Sequence, residues 1–281
     1  YTTLFRSLRG WWFSRGAKVE HRLARGLLRQ QDRQAQRLAW LARPAYRGLC
    51  AVWAQTDADA QRLAQLGAPV RGVLGNFKFD ATPDAVQLTQ GRTWRGASGR
   101  PVLMFASSRE GEEQMLLDVL KQKWPLAPAE YPRAAPETIA NLSGQRTGLP
   151  FQLLVVPRHP QRFAEVAQLF ADAGYSVSPR SQWGDAPETA DVWVGDSLGE
   201  MALYFGLAHV ALLGGSFAPL GGQNLIEAAA CGVPVFMGPH LFNFTEASTL
   251  AAEAGAALRC EDIAHAVAEA AATAGDGAMG G

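Results

Sequence analysis

Apolar positions fall in short dense blocks, separated by longer stretches with helical spacing. The block CAVWA at 50–54 predicts a buried strand. Thr56, Asp57 and Asp59 follow as N-terminal helix signals and predict a helix to residue 66. Gly67-Ala68-Pro69 stops that helix, and residues 70–74 predict a second strand. Upstream, residues 14–43 are rich in Arg, Gln, Leu and Ala, contain no proline, and predict a helix. Beyond GNFKFD at 75–80 the chain is polar and irregular to residue 99, which predicts a domain boundary in that stretch, with 1–80 and 81–281 on either side.

A second strand–helix series begins at Pro101. Strands are predicted at 102–106, 151–156, 191–194, 210–213 and 234–237, and helices at 112–123, 161–173, 201–205 and 224–230. Residues 124–150, rich in Pro and Ala, predict an inserted surface loop, with a short helix at 136–142 as the alternative. No internal repeat is present. Strands alternating with helices define an α/β fold, a Rossmann-like doubly wound sheet that is mainly parallel.

Composition changes this picture little. The 281 residues are 48% apolar and 19% charged, with a formal net charge of zero, so whole-molecule attraction to nucleic acid is not indicated. Charge is unevenly spread, however. Between Arg6 and Arg47 only Glu20 and Asp32 oppose a run of basic residues, pointing that end toward anions, either a phosphorylated substrate or an anionic membrane, unless it is simply a solvated helical face. The three cysteines, Cys50, Cys231 and Cys260, are widely spaced and odd in number, which fits a reducing compartment rather than secretion. No apolar run approaches the roughly 20 residues that cross a bilayer, and no signal peptide is visible. The start at Tyr1 and the weak tail at 275–281 suggest a piece of a longer protein.

In an open parallel sheet, ligands bind beyond the carboxyl ends of the strands. Four segments are predicted there: 107–112, 157–159, 196–200 and 214–227. In the last, GGSFAPLGGQNLIE, a strand delivers two glycines, and Gly221-Gly222 precede a helix whose free N–H groups suit a phosphate. Glu227, about one turn into that helix, is placed to accept from ribose hydroxyls; tight turns plus a capping carboxylate explain the same spacing. Arg158 is a fork-shaped phosphate partner or one half of a surface ion pair, and His159 reads as structural, with catalysis the lesser alternative. In SSREGEE, Ser107 or Ser108 is the expected cap of a helix, and Arg109 near a helix start calls for an anion. Glu200, opening another helix, needs no function, although N–H contacts from its loop to a base or phosphate are equally open. Lys78 in GNFKFD is either solvated or placed to stabilise charge on a leaving phosphate. Zinc spacing, a Walker loop, a GxSxG elbow and an aromatic-studded RNA motif are all lacking.

The segments VWAQTDADAQRLAQLGAP, GNFKFD, ASSREGEE, VVPRHPQRF and GDSLGEMALYFGLAHVALLGGSFAPLGGQNLIEAAACGVPVFMGPHLFNF, in this order, resemble bacterial 3-deoxy-D-manno-octulosonic acid (Kdo) transferases of lipopolysaccharide assembly. The resemblance covers most of residues 51–244. It implies a GT-B glycosyltransferase without cofactor or active-site metal, taking Kdo from CMP-Kdo to the lipid A precursor (lipid IVA) with inversion, at the cytoplasmic side of the inner membrane. Residues 1–80 would then be the end of the N-terminal acceptor domain and 81–281 the donor domain. By motif, the CMP contacts would be Pro157 and Arg158; Leu198, Gly199 and Glu200; and Asn224, Leu225, Ile226 and Glu227. Lys78 would match the charge-stabilising lysine. The family's Gly-Glu base motif has no counterpart before Arg43, and Tyr1 to Phe5 do not match its Asn-Ala-Arg segment. The expectation is therefore that these 281 residues bind CMP but transfer little Kdo. A UDP-sugar enzyme of the same fold, and a non-catalytic nucleotide-binding module, are the alternatives.

Overall fold

A computed structural model describes residues 39–54, 57–73, 82–126 and 149–278. The chain divides into two compact units, Tyr1–Asp80 and Ala81–Gly281. Lys78, the rest of GNFKFD, residues 127–148 and most of the predicted helix at 14–43 lie outside the described residues.

In the first unit, helix α1 (Ala39–Arg47) continues through Pro44, past the end expected at residue 43. Strand β1 (Val52–Ala54), helix α2 (Asp57–Gln65) and strand β2 (Val70–Val73) follow, with β1 and β2 parallel. Gly67, at φ 87°, ends α2: its N–H donates to Ala64 O at 2.9 Å, and Ala68 N–H reaches Leu63 O at 3.0 Å. That pair of bonds satisfies the last carbonyls of the helix and turns the chain back toward β2. Val52, Ala54, Leu63 and Ala68 form the small core.

The second unit opens with helix α3 (Ala85–Ala97), in the stretch expected to be irregular. Asp84 caps it, accepting from Val86 N at 2.9 Å and Gln87 N at 3.0 Å. The pattern conceals this helix because it buries only Gly91 and Trp94. Packing makes it form. A Cβ at Gly91 would lie 2.2 Å from Leu203 O, and one at Gly206 would lie 2.6 Å from Leu88 O, so two helices meet backbone to backbone. Trp94 Nε1 donates to Asp185 O at 2.8 Å and Arg95 to Ala208 O at 3.0 Å, fixing the rest of its face.

The order continues β3 (Val102–Ser108), α4 (Glu112–Lys123), β4 (Gln152–Pro157), α5 (Phe163–Asp172), β5 (Val177–Pro179), β6 (Val192–Val194), α6 (Met201–Leu207), β7 (Val210–Leu213), α7 (Ile226–Ala230), β8 (Val235–Met237), α8 (Thr245–Glu253), β9 (Ala257–Arg259) and α9 (Ile263–Ala278). Short 3-10 turns precede α5 (Pro160–Arg162) and follow β5 (Arg180–Gln182). Seven strands form one sheet in the order β5-β6-β4-β3-β7-β8-β9, every pair parallel. Both faces are covered, which is why the central strands read as unbroken apolar runs. Val102, Met104 and Ala106 enter one core with Leu154, Val156, Ala211 and Leu213. Leu103 and Phe105 enter the other with Leu153, Val155, Val210 and Leu212. This two-residue alternation follows from the pleat.

Besides α3, the elements absent from the sequence reading are β5 with its 3-10 turn, α8, β9 and α9. Residues 275–278, read as tail, complete α9, which buries Ile263, Ala266, Val267, Ala270 and Ala274 at helical spacing.

Candidate nucleotide site

From β3 the chain moves to β4 on one side, and β7 lies on the other. The carboxyl ends of β3 and β7 therefore flank the switch point of the sheet, where an open α/β fold offers a crevice. All four predicted segments leave strands at this edge, after β3, β4, β6 and β7.

Backbone bonds stitch the loops together beyond the strand ends. Arg158 N donates to Ser108 O at 3.0 Å, Gly195 N to Val155 O at 2.8 Å, and Gly214 N to Ala106 O at 2.8 Å. Gly214 is required by contact: a Cβ there would meet Ser107 O at 2.3 Å. The loop after β8 closes over the glycine run, with His240 N on Ser216 O at 3.0 Å and Asn243 N on Gly221 O at 3.1 Å. Ser216 Oγ bonds Leu213 O and accepts from Gly238 N at 2.8 Å. The resemblance through GPHLFNF thus has a structural basis, since that segment shapes the glycine loop.

Glu112 changes the reading of that loop. It is fully buried, yet its Oε2 accepts from Gly215 N at 2.7 Å and Arg109 N at 2.9 Å, while Oε1 accepts from Phe217 N at 3.0 Å and Ala218 N at 3.2 Å. Burial pushes its pKa up, against the pull of these four N–H donors. The first half of the glycine run is thus a cradle for an internal carboxylate. A phosphate would have to use the second half, where the N–H groups of Gln223, Asn224, Leu225 and Glu227 have no acceptor among the described residues. In the sequence Glu112 passes for an acid placed to suit a helix start, because three of its four partners lie more than a hundred residues away.

The helix expected from residue 224 begins at Ile226, so Glu227 is its second residue, exposed rather than one turn in. Asn224 Oδ1 accepts from Ile226 N at 3.2 Å, and its Nδ2 lies 3.4 Å from Glu227 Oε1. Leu225 and Ile226 have their side chains in the core, so only their backbone can face a ligand. Pro157 is buried and offers only its carbonyl; Arg158 is exposed, and its guanidinium has no partner among the described residues. Four positions on, Arg162 is the structural arginine, bidentate to buried Glu113 at 2.8 and 3.1 Å.

The expected serine cap at α4 is not found. Gly111, at φ 86°, occupies the N-cap without a side-chain bond, and Ser108 Oγ is buried without a partner among the described residues. Arg109 pairs with Glu110 at 3.0 Å, so no outside anion is needed there. Leu198 is exposed, Gly199 adopts φ 79° and accepts from Gln87 Nε2 at 3.0 Å, and Glu200 pairs with Arg180 at 3.0 Å. The Arg180 contact went unseen because its 3-10 turn was not predicted.

Comparison with known proteins agrees with this architecture. Residues 14–81 match the family model described as 3-deoxy-D-manno-octulosonic-acid transferase (kdotransferase). The chain is 46% identical over 232 residues to the 3-deoxy-D-manno-octulosonic acid transferase of Bordetella pertussis, covering 82% of this chain and 50% of that one. It is 33% identical over 220 residues to the Haemophilus influenzae enzyme of the same name, covering 76% and 46%. It therefore spans about half the length of these relatives. The crystal structure of the C-terminal CMP-Kdo binding domain of WaaA from Acinetobacter baumannii superposes with a TM-score of 0.55 at 26% identity, covering 69% of this chain and 91% of that one. A doubly wound parallel sheet with its loops gathered at the switch point is the architecture the chain shares with that CMP-Kdo binding domain. Along 82% of its length the chain is similar to a 3-deoxy-D-manno-octulosonic acid transferase, and residues 14–81 match the model of that family.

Proposed function

We propose that residues 81–281 bind the donor, and residues 1–80 belong to the acceptor side, of an enzyme that transfers Kdo from CMP-Kdo to the lipid A precursor (lipid IVA) with inversion, in lipopolysaccharide core assembly. One observation carries the donor reading: Arg158, the loop 198–200 and residues 224–227, far apart in sequence, leave strand ends along one edge of a fold that resembles a CMP-Kdo binding domain.

In this reading, Arg158 takes the phosphate of CMP as a fixed cation, and the N–H groups of Gln223, Asn224, Leu225 and Glu227, without an acceptor among the described residues, supply further donors. Glu227 accepts from the ribose hydroxyls. The carbonyl of Pro157 and the backbone of Leu198, Gly199 and Glu200 frame the base. Lys78 would stabilise charge on the departing CMP, and a carboxylate base would take the proton of the acceptor hydroxyl. The basic stretch at 6–47 suits the anionic cytoplasmic face of the inner membrane and a phosphorylated lipid. Among the described residues, no helix is long and apolar enough to cross a membrane.

Calorimetric titration with CMP and with UDP tests the donor reading. CMP is expected to bind at least tenfold more tightly than UDP, roughly 1.4 kcal/mol. Equal affinity, or none for either, overturns it.

A further inference from the structure

Arg180 stands on the 3-10 turn after β5, one strand outside the loops that define the site. Its Nη2 contacts Glu200 Oε1 at 3.0 Å, and its guanidinium carbon lies 5.5 Å from the Trp94 ring and 5.7 Å from the Trp183 ring. Both indoles are themselves pinned. Trp94 Nε1 donates to Asp185 O at 2.8 Å, Trp183 Nε1 to Ser178 Oγ at 2.9 Å, and Trp183 packs edge-on against Trp193 with centroids 5.5 Å apart. A guanidinium packed beside two fixed indoles, themselves in edge-on contact at 5.9 Å, has little freedom left to lose when it meets a carboxylate.

The next residue grips the other end of the same loop. Ser181 donates to Asp196 through its N–H at 2.8 Å and its hydroxyl at 2.5 Å. Inside the loop, the Ser197 hydroxyl bonds Glu200 and stands 2.5 Å from Tyr204 OH. Tyr204 is fully buried, with its pKa pushed up to about 12 by burial, so its hydroxyl stays protonated. Glu200 therefore divides its carboxylate between Arg180 and Ser197, and Arg180 Nε is left buried without an acceptor among the described residues. Arg–carboxylate pairs are often bidentate; here the two oxygens of Glu200 go to different donors, Oε1 to Arg180 and Oε2 to Ser197. This geometry instead fixes the direction of Glu200, and with it the path of Leu198 and Gly199.

We infer that Arg180 is a positioning residue for the nucleotide, acting through Glu200 to hold the 196–200 loop in its binding shape. The inference rests on the proposal that this loop contacts CMP.

A double-mutant cycle tests it, with CMP titrated calorimetrically into the 281-residue chain. Arg180→Ala is expected to weaken CMP binding roughly tenfold, Arg180→Lys to restore part of that, and Arg180→Ala to cost almost nothing further when Glu200 is already Ala. An Arg180 that only stabilised the fold would lower Tm and leave the same CMP loss in both backgrounds, which overturns the inference. An Arg180→Ala chain that binds CMP like the unaltered chain overturns it too, while the donor reading stands. If the unaltered chain binds no CMP, both fail. Should Arg180→Ala not fold, Arg180→Lys in the two Glu200 backgrounds gives the same coupling.

Discussion

Glu112 and Gly215 meet at 2.7 Å, carboxylate to backbone N–H, across 103 positions of sequence. The carboxylate holds the turn after β7 as an anion would hold it from outside. Replacing Glu112 by Ala strands the buried N–H groups of Gly215 and Phe217. The expected cost is about 3 kcal/mol, with a Tm lower by roughly 10 °C in thermal unfolding. Glu112→Gln, which keeps an accepting oxygen, should lose about half as much. A Glu112→Ala chain as stable as the parent would show that the turn holds itself.

Arg158 and Arg162 should behave as opposites. Arg158→Ala removes a side chain with no partner among the described residues, so Tm should stay within about 1 °C while CMP affinity falls roughly tenfold. Arg162→Ala leaves buried Glu113 without its bidentate partner and should cost about 3–5 kcal/mol. Unfolding curves and CMP titrations of the two variants, run side by side, check both halves.

Gly214→Ala sets a methyl group against the carbonyl of Ser107, 2.3 Å away. Backbone cannot swing aside as a side-chain tip can, so a loss of about 2–3 kcal/mol is expected. Gly99→Ala is the control for strain alone, since φ there is 65° but nothing lies within 4 Å of the added carbon. Its loss should be nearer 1 kcal/mol. Equal losses in chemical denaturation would count against the contact.

His209 gives the fold a pH dependence. Its Nδ1 accepts from Val102 N at 2.9 Å, which requires the neutral ring on that side. Burial, and then Arg95, hold its pKa below the ordinary 6.5. The unfolded chain therefore takes up the proton first as pH falls, and the stability this site contributes above 6.5 drains away below it. Tm should drop between about pH 7.5 and about pH 5.5, and drop less in His209→Gln. An identical drop in both chains would remove His209 as the cause.

Much of the sheet was legible because its central strands are buried on both faces, and VLMF, LLVV and VALL have no other reading. The four loops were legible because each follows such a strand. What stayed hidden has a physical reason in each case. Helix α3 shows little apolar signal because glycine does its packing. Strand β5 has only three residues at the sheet edge, and just one of them, Ser178, is buried. Helix α9 keeps its period in alanine, which marks a buried face weakly. Within the site, Arg158 stood out by its place at a strand end, whereas the tasks of Glu112 and Arg180 depend on partners that only folding brings near.

The meeting of Gly91 with Gly206 has a mechanical consequence. Side chains at a helix crossing usually act as a cushion, changing rotamer while the axes slide. Here main chain rests on main chain, and Gln87 on the same helix reaches Gly199 at 3.0 Å. Helices α3 and α6 thus leave each other little room to slide, and the Gln87 bond ties α3 to the 196–200 loop. Stiffness at that crossing thus adds a main-chain brace to the side-chain bonds from Arg180 and Ser181 that hold the same loop.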